Sequence, residues 1–251
     1  DTDALGLLRI LECVLHTDKT IKVYQASTSE LFGGCERGLL NESSVMNPRS
    51  PYAAAKLYAY NISKIYREAY GIFVCNGILF NHESPRRGEN FVTRKISTSV
   101  ARIILGKQNQ LMLGNLNAVR DWGHARDYVE AQWLMLQKKD PVDYVIATGH
   151  AVSVRDFVKI CFECCGIELI FEGSGSNEVG IVSKINVSEL TVSNTLKVGS
   201  VVLACDERFY RPLEVDYLIG DATKAKNELG WHPKVDVRTL AFEMVSHDYN
   251  L

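Results

Sequence analysis

Four side chains near the start of the sequence have the types and spacing for proton-coupled redox chemistry on an alcohol: Thr28, Glu30, Tyr52 and Lys56. Tyr52 and Lys56 are four residues apart, so on a helix they stack on one face. A phenol of ordinary pKa, about 10, is a poor base at neutral pH. An ammonium one turn away favours the phenolate. Such a pair can take the proton of a hydroxyl while hydride leaves the same carbon. The Glu30 carboxyl is free for a second proton transfer. In an extended segment side chains alternate, so Thr28 and Glu30 are expected to point the same way.

The bare Tyr-x-x-x-Lys spacing is weak, because Tyr60 and Lys64 repeat it on the same run. Context separates the two. Ser50 suits a helix N-cap and Pro51 the first helical position, where its missing N–H costs nothing. Tyr52 therefore sits at the mouth of its helix, whereas Tyr60 lies away from any strand end and reads as structural.

The elements that must position these groups can be traced along the chain. Leu7, Leu8, Leu11 and Leu15 space a helix over 4–15. The apolar strand over 21–26 suits a parallel sheet covered on both faces. The helix from Tyr52 is expected to reach Tyr70, with Gly71 just beyond it. A second strand over 72–80 delivers Asn81 and His82 to the same sheet edge, and ligands bind outside the carboxyl ends of such strands. Further on, a helix over 91–105, a short strand over 110–114, a helix ending near Gln137 and a strand over 144–148 follow. Ser153 caps another helix, with Asp156 three residues on. From 173 to 205 the composition turns to Gly, Ser, Asn and Val, which reads as a surface excursion. Helices near 223–229 and 238–247 come last.

Composition limits the function classes. At 251 residues, 46% hydrophobic and 23% charged, the chain reads as an ordinary soluble globular protein with room for one large core or two modest ones. A net charge of -2 argues against nucleic acid as a partner. No apolar run reaches the roughly 18 residues of a membrane span, and the Asp-Thr-Asp opening is not that of a signal peptide. Seven cysteines in no disulfide-like pattern suit a reducing cytoplasm. Cys161, Cys164 and Cys165 lack a partner pair at metal-binding spacing and are expected to pack rather than to ligate, so no metal is expected.

Five runs carry a resemblance: 26–33 (ASTSELFG), 50–60 (SPYAAAKLYAY), 76–87 (NGILFNHESPRR), 91–96 (FVTRKI) and 114–124, which ends in RDWGH. They resemble the extended short-chain dehydrogenase/reductases and, within them, the GDP-mannose 4,6-dehydratase family. The resemblance covers nearly the whole chain. It implies an incomplete Rossmann-type doubly wound parallel sheet, holding only its C-terminal strands, with a smaller α/β substrate-binding lobe. Residues 1–82 and 120–149 would form the remnant of the NADP-binding domain, and 83–119 with 150–251 the sugar-nucleotide lobe. The implied partners are NADP, GDP-mannose and further copies of the chain, a tetramer in the family.

By the same resemblance Thr28, Glu30, Tyr52 and Lys56 are catalytic, and Tyr52, Lys56, His82 and Arg87 meet the cofactor. Asn81, Lys95, Arg120, Arg211 and Glu214 meet the substrate, Arg120 and Arg211 at its diphosphate. The stretch over 173–205 departs most from the family pattern. No Gly-x-x-Gly-x-x-Gly fingerprint occurs, and the first strand matches the fifth of a Rossmann sheet. A fragment or a shortened product is therefore expected, one that by itself binds NADP poorly and shows no dehydratase activity. Two other readings stay open: a non-catalytic paralogue, and a dehydratase of another sugar nucleotide.

Overall fold

A computed structural model describes all residues except Glu36, Arg37, Glu189, 211–214 and Asp216. Arg211 and Glu214, expected at the substrate, thus lie outside the described residues. In chain order come α1 (Leu5–Thr17), β1 (Val23–Thr28), β2 (Leu39–Leu40), α2 (Pro51–Tyr70), β3 (Val74–Leu79) and β4 (Asn81–Glu83). Then follow α3 (Val92–Ile104), β5 (Leu111–Leu113), β6 (Val119–Arg120), β7 (Trp122–His124), α4 (Ala125–Gln137), β8 (Tyr144–Ile146) and β9 (Val152–Ser153). The rest are α5 (Val154–Glu163), β10 (Ile167–Glu172), β11 (Val179–Ile185), β12 (Val201–Cys205), β13 (Tyr217–Gly220), α6 (Thr223–Leu229) and α7 (Val237–Tyr249).

The chain divides into two units. The first comprises Asp1–His82, Asp121–Ala151 and Tyr217–Lys234. Its centre is a parallel sheet of order β1-β3-β8, with Thr28 opposite Leu79 and Gly77 opposite Tyr144. Every residue of β3 is buried, as a central parallel strand with both faces covered requires. Val74 faces one layer, where Leu7, Leu11 and Val14 of α1 meet Ala59 and Tyr66 of α2. Cys75 and Leu79 face the other, with Tyr128, Ala131 and Met135 of α4 and with Trp231. Each fully buried leucine here is worth roughly 1.5–3 kcal/mol. Gly77 is needed where it stands, because a Cβ would collide with the Tyr24 ring.

Two expectations shift in this unit. The strand expected over 21–26 runs later, Val23–Thr28, because the Ile21 N–H is engaged in a turn by the Asp18 carbonyl at 3.3 Å. Tyr217–Lys234, expected in the substrate lobe, belong to the first unit. Ala225 and Trp231 complete its core, and Trp231 Nε1 donates to the Asp127 carbonyl at 2.7 Å.

The second unit comprises Glu83–Arg120, Val152–Asp216 and Val235–Leu251. Its sheet has the order β10-β11-β12-β5, antiparallel except for the parallel pair β12–β5. The surface excursion expected over 173–205 is wrong for 179–185 and 201–205, whereas the described residues of 186–200 do lie at the surface. β11 and β12 are built from it, and Gly180 packs against Leu203 and Phe171 where a larger residue would crowd the sheet. Helices α3, α5 and α7 form the other layer. Arg94 of α3 makes a buried ion pair with Asp248 of α7, whose Oδ2 also accepts from Ser97 at 2.7 Å and Thr98 at 3.1 Å. Ser153 Oγ caps α5 by accepting from the Asp156 N–H at 3.0 Å, and its hydroxyl donates to Asp156 Oδ2 at 2.6 Å. Cys161 and Cys165 are core residues at the end of this helix, and burial pushes both thiols up. Among the described residues, no helix is long and apolar enough to cross a membrane.

Candidate active site

In the first unit the site grows from the carboxyl end of β1 and the amino end of α2. Ser50 Oγ accepts from Ala53 N–H at 3.1 Å, and Pro51 follows it as the first helical residue. At the far end Gly71 adopts φ 67°, a left-handed turn that costs glycine little. The helix is therefore fixed at both ends as the sequence implies, and Tyr52 lies in its first turn. Tyr52 is 45% exposed.

Lys56, one turn on, has its Nζ 5.6 Å from the centroid of the Tyr52 ring. The same ammonium donates to the Ala26 carbonyl at 3.2 Å, two residues before the end of β1. It also pairs with Asp3 Oδ1 at 3.4 Å. An ammonium has three donors, so one N–H stays available for a ligand hydroxyl. Asp3 was not among the residues expected at the site. Its only sequence signal is acidity just ahead of α1, and the contact joins segments far apart in the chain.

Thr28 ends β1, and its Oγ1 accepts from Glu30 N–H at 3.2 Å. That bond caps a 3-10 turn, Ser29–Phe32, which contains Glu30. The strand-type alternation expected to align Thr28 with Glu30 therefore does not apply. A threonine hydroxyl that bonds the backbone two residues on turns the chain out of the ladder. Thr28 is buried and Glu30 half-buried. Because Thr28 is opposite Leu79 in the sheet, Asn81 and His82 emerge at the same edge. His82 Nδ1 lies 2.9 Å from the Phe80 carbonyl, and its ring stacks on Tyr128 at 4.9 Å. In the neutral ring this contact places the proton on Nδ1 and leaves Nε2 the acceptor.

Tyr60 differs from Tyr52 in every respect that matters. It is buried, and burial, then the Asp143 carboxylate, push its phenol up to about 12. Lys64 lies 5.8 Å from its ring. This phenol is a structural group.

The second unit carries Arg87, Lys95 and Arg120. Arg87 pairs with the buried Glu83 at 3.2 Å and lies 3.5 Å over the Phe91 ring. Burial raises the Glu83 carboxyl, opposed by Arg87 and by the hydroxyl of Thr93. Lys95 Nζ sits 3.6 Å over the Phe209 ring. Burial lowers its pKa, with Asp206 opposing. Asp206 itself is held down at about 2, chiefly by its bonds to Arg208. Gly114 admits Phe209 to this position, since a Cβ there would strike the Phe209 carbonyl. Arg120 donates through Nη1 to the Val119 carbonyl at 2.9 Å.

A threonine at the end of a parallel strand, a glutamate in the turn after it, and a phenol and an ammonium at the start of the next helix have a counterpart among known families. The model of the family described as GDP-mannose 4,6 dehydratase matches residues 1–244. The chain belongs to this family. It is 52% identical over 250 residues to a GDP-mannose 4,6-dehydratase of Vibrio cholerae, covering 99% of this chain and 66% of that protein. The human GDP-mannose 4,6 dehydratase is 51% identical over 253 residues, covering 100% and 64%. The chain thus spans somewhat less than two thirds of these relatives. Among solved structures, RMD from Pseudomonas aeruginosa complexed with NADPH is similar with a TM-score of 0.78 at 17% identity, covering 99% of this chain and 73% of that one. The dTDP-glucose 4,6-dehydratase of Bacillus anthracis in complex with NAD gives 0.75 at 23%, covering 98% and 67%. These two likenesses establish the fold, an α/β arrangement of the Rossmann type.

Proposed function

We propose that the protein is a GDP-mannose 4,6-dehydratase that converts GDP-mannose to GDP-4-keto-6-deoxymannose with NADP as its cofactor. The observation that carries the reading is the first turn of α2. There an exposed phenol, Tyr52, stands one turn from an ammonium that is itself tied to the end of β1 through the Ala26 carbonyl. Family membership supports the reaction, and the NADPH and NAD complexes of the two similar structures support a nicotinamide dinucleotide. The donor set fits such a group: Lys56 keeps an N–H for a ribose hydroxyl, and His82 and Tyr52 flank the same sheet edge. When bound, the cofactor supplies hydride chemistry, accepting from C4 of the sugar and returning to C6.

Tyr52 takes the proton of the 4-hydroxyl, and Lys56 favours its phenolate form while orienting the ribose. Thr28 donates to the 4-oxygen as it becomes a carbonyl. That carbonyl acidifies the C5 hydrogen, which Glu30 removes. The protonated Glu30 then gives its proton to the 6-hydroxyl, the C6–O bond breaks, and water leaves. A proton returns to C5 as C6 is reduced, so the sum is the loss of one water. In this reading Arg87 serves the cofactor, Asn81 and Lys95 the substrate, and Arg120 its diphosphate. Arg211 and Glu214 carry the diphosphate and ribose roles by resemblance alone. The cysteines, all free, support a cytoplasmic location, and the exposed Leu5, Ile10, Tyr58 and Ile65 of α1 and α2 support assembly with further copies.

The test is to incubate the full-length protein with NADP and GDP-mannose and weigh the nucleotide sugar. The expected product is lighter by one water and carries a ketone. An unchanged GDP-mannose pool under saturating cofactor would refute the proposal.

A further inference from the structure

The turn that carries Glu30 and the helix start that carries Tyr52 are joined by one residue outside both. Asn47 N–H donates to the Leu31 carbonyl at 2.7 Å, next door to Glu30. The Asn47 carbonyl accepts from Gly34 N–H at 2.8 Å. Its side-chain Nδ2 donates to the Gly34 carbonyl at 3.0 Å. Asn47 thus grips the 3-10 turn and its exit at three points. Three residues on, the chain reaches Ser50, the cap of α2, through Pro48, whose ring fixes its φ. The glycine at 34 is part of the arrangement, because a Cβ there would collide with the Asn47 amide and the Arg49 side chain. Cys35 Sγ, directed at the Val45 carbonyl at 2.7 Å, adds a second tie between the same two segments.

We propose that Asn47 is a positioning residue that sets the place of the Glu30 carboxyl relative to the Tyr52 phenol. The inference rests on the dehydratase reading above. Thr28 caps the turn from its start by holding the Glu30 amide, but that bond leaves the Leu31–Gly34 side of the turn unheld. The far side of the turn is held by Asn47. A misplacement of about 1 Å at a catalytic group can cost on the order of 10²-fold in rate. Tyr52 and Lys56 are fixed independently, by the Ser50 cap and by the Ala26 carbonyl. Loosening Asn47 therefore harms the steps that use Glu30 and spares the step that uses Tyr52.

Two variants of the full-length protein test this, Asn47→Ala and Gly34→Ala. The first deletes the side-chain tie, and the second displaces it without deleting it. Amide hydrogen exchange without substrate reads the clamp itself: the Gly34 and Asn47 amides are expected to lose protection by about tenfold or more, while the melting temperature stays near that of the parent. Kinetics read its use: KM for GDP-mannose is expected to stay within about twofold, with kcat down by roughly 10–100-fold. Reduced nicotinamide should accumulate in a single turnover, which a general loss of folding would not produce. Unchanged exchange in both variants would overturn the clamp. Lost protection with parental kcat, or a fall in kcat with no accumulated reduced nicotinamide, would overturn its positioning role. If the parent turns over no GDP-mannose, the dehydratase reading fails, and with it the role of Asn47, while the exchange data report on the clamp alone.

Discussion

Replacing Tyr52 by phenylalanine removes one oxygen from a side chain that is 45% exposed. The ring can keep its place 5.6 Å from the Lys56 ammonium, and surface substitutions of this kind usually change stability by within about 0.5 kcal/mol. The chemical effect is of another order. Loss of a general acid–base group typically costs about 10²–10⁴-fold, which at 1.36 kcal/mol per decade is roughly 3–5 kcal/mol of barrier. The two magnitudes differ enough that a folding defect cannot be mistaken for a chemical one. The assay is single-turnover formation of reduced nicotinamide from GDP-mannose, with calorimetric melting alongside. Tyr60→Phe is the control. Its phenol is buried and pushed up to about 12, so turnover should remain at the parental level. If Tyr52→Phe forms reduced nicotinamide within about threefold of the parent, the assignment of the base is wrong.

Other outcomes follow from the same geometry. Glu30→Gln should leave hydride transfer from C4 nearly intact while the 6-deoxy product falls by about 10²-fold or more; equal loss of both steps would contradict the division of labour. Asp248→Ala strands Arg94 in the second unit and should destabilise it by about 3–5 kcal/mol, read as a lower urea midpoint. An unshifted midpoint would show that the pair carries no stability. Because burial lowers the Lys95 pKa, its charge is lost at lower pH than that of a surface lysine. KM for GDP-mannose should therefore climb on the alkaline side, and Lys95→Met should abolish that climb. A climb that persists in the variant would remove Lys95 from the substrate.

What could be read from the sequence was what short range decides. Ser50, Pro51 and Gly71 mark α2 because caps and φ preferences are properties of a few adjacent residues. The facing of Tyr52 and Lys56 follows from helical spacing. Glu30 leaves the course of a continuing strand because the Thr28 hydroxyl bonds the Glu30 amide and turns the chain. The stretch over 173–205 was misread for a different reason. β12 finds its parallel partner in β5, far upstream, so no local pattern reports that pairing, whereas β10 and β11 form a local hairpin across 173–178. Asp3 and Asn47 were invisible for the same cause, since each acts through a contact between segments that only the fold brings together. The resemblance supplied the substrate side, including Arg211 and Glu214.

The core of the first unit also has a schedule. It closes on Trp231, whose indole fills the layer beneath Tyr128 and bonds the Asp127 carbonyl. Three stretches of chain build this unit, and the last of them leaves the ribosome well after its sheet is complete in sequence. At about 5–20 residues per second the wait is several seconds. During that interval Tyr128, Met135 and Leu79 have no lid, and the strands of the second unit are still being made. The nascent chain therefore holds a greasy half-built layer exposed to chaperones. Trp231 acts as the closing piece of synthesis, and substitutions there should lower the yield of folded protein in cells more than they lower the activity of the molecules that mature.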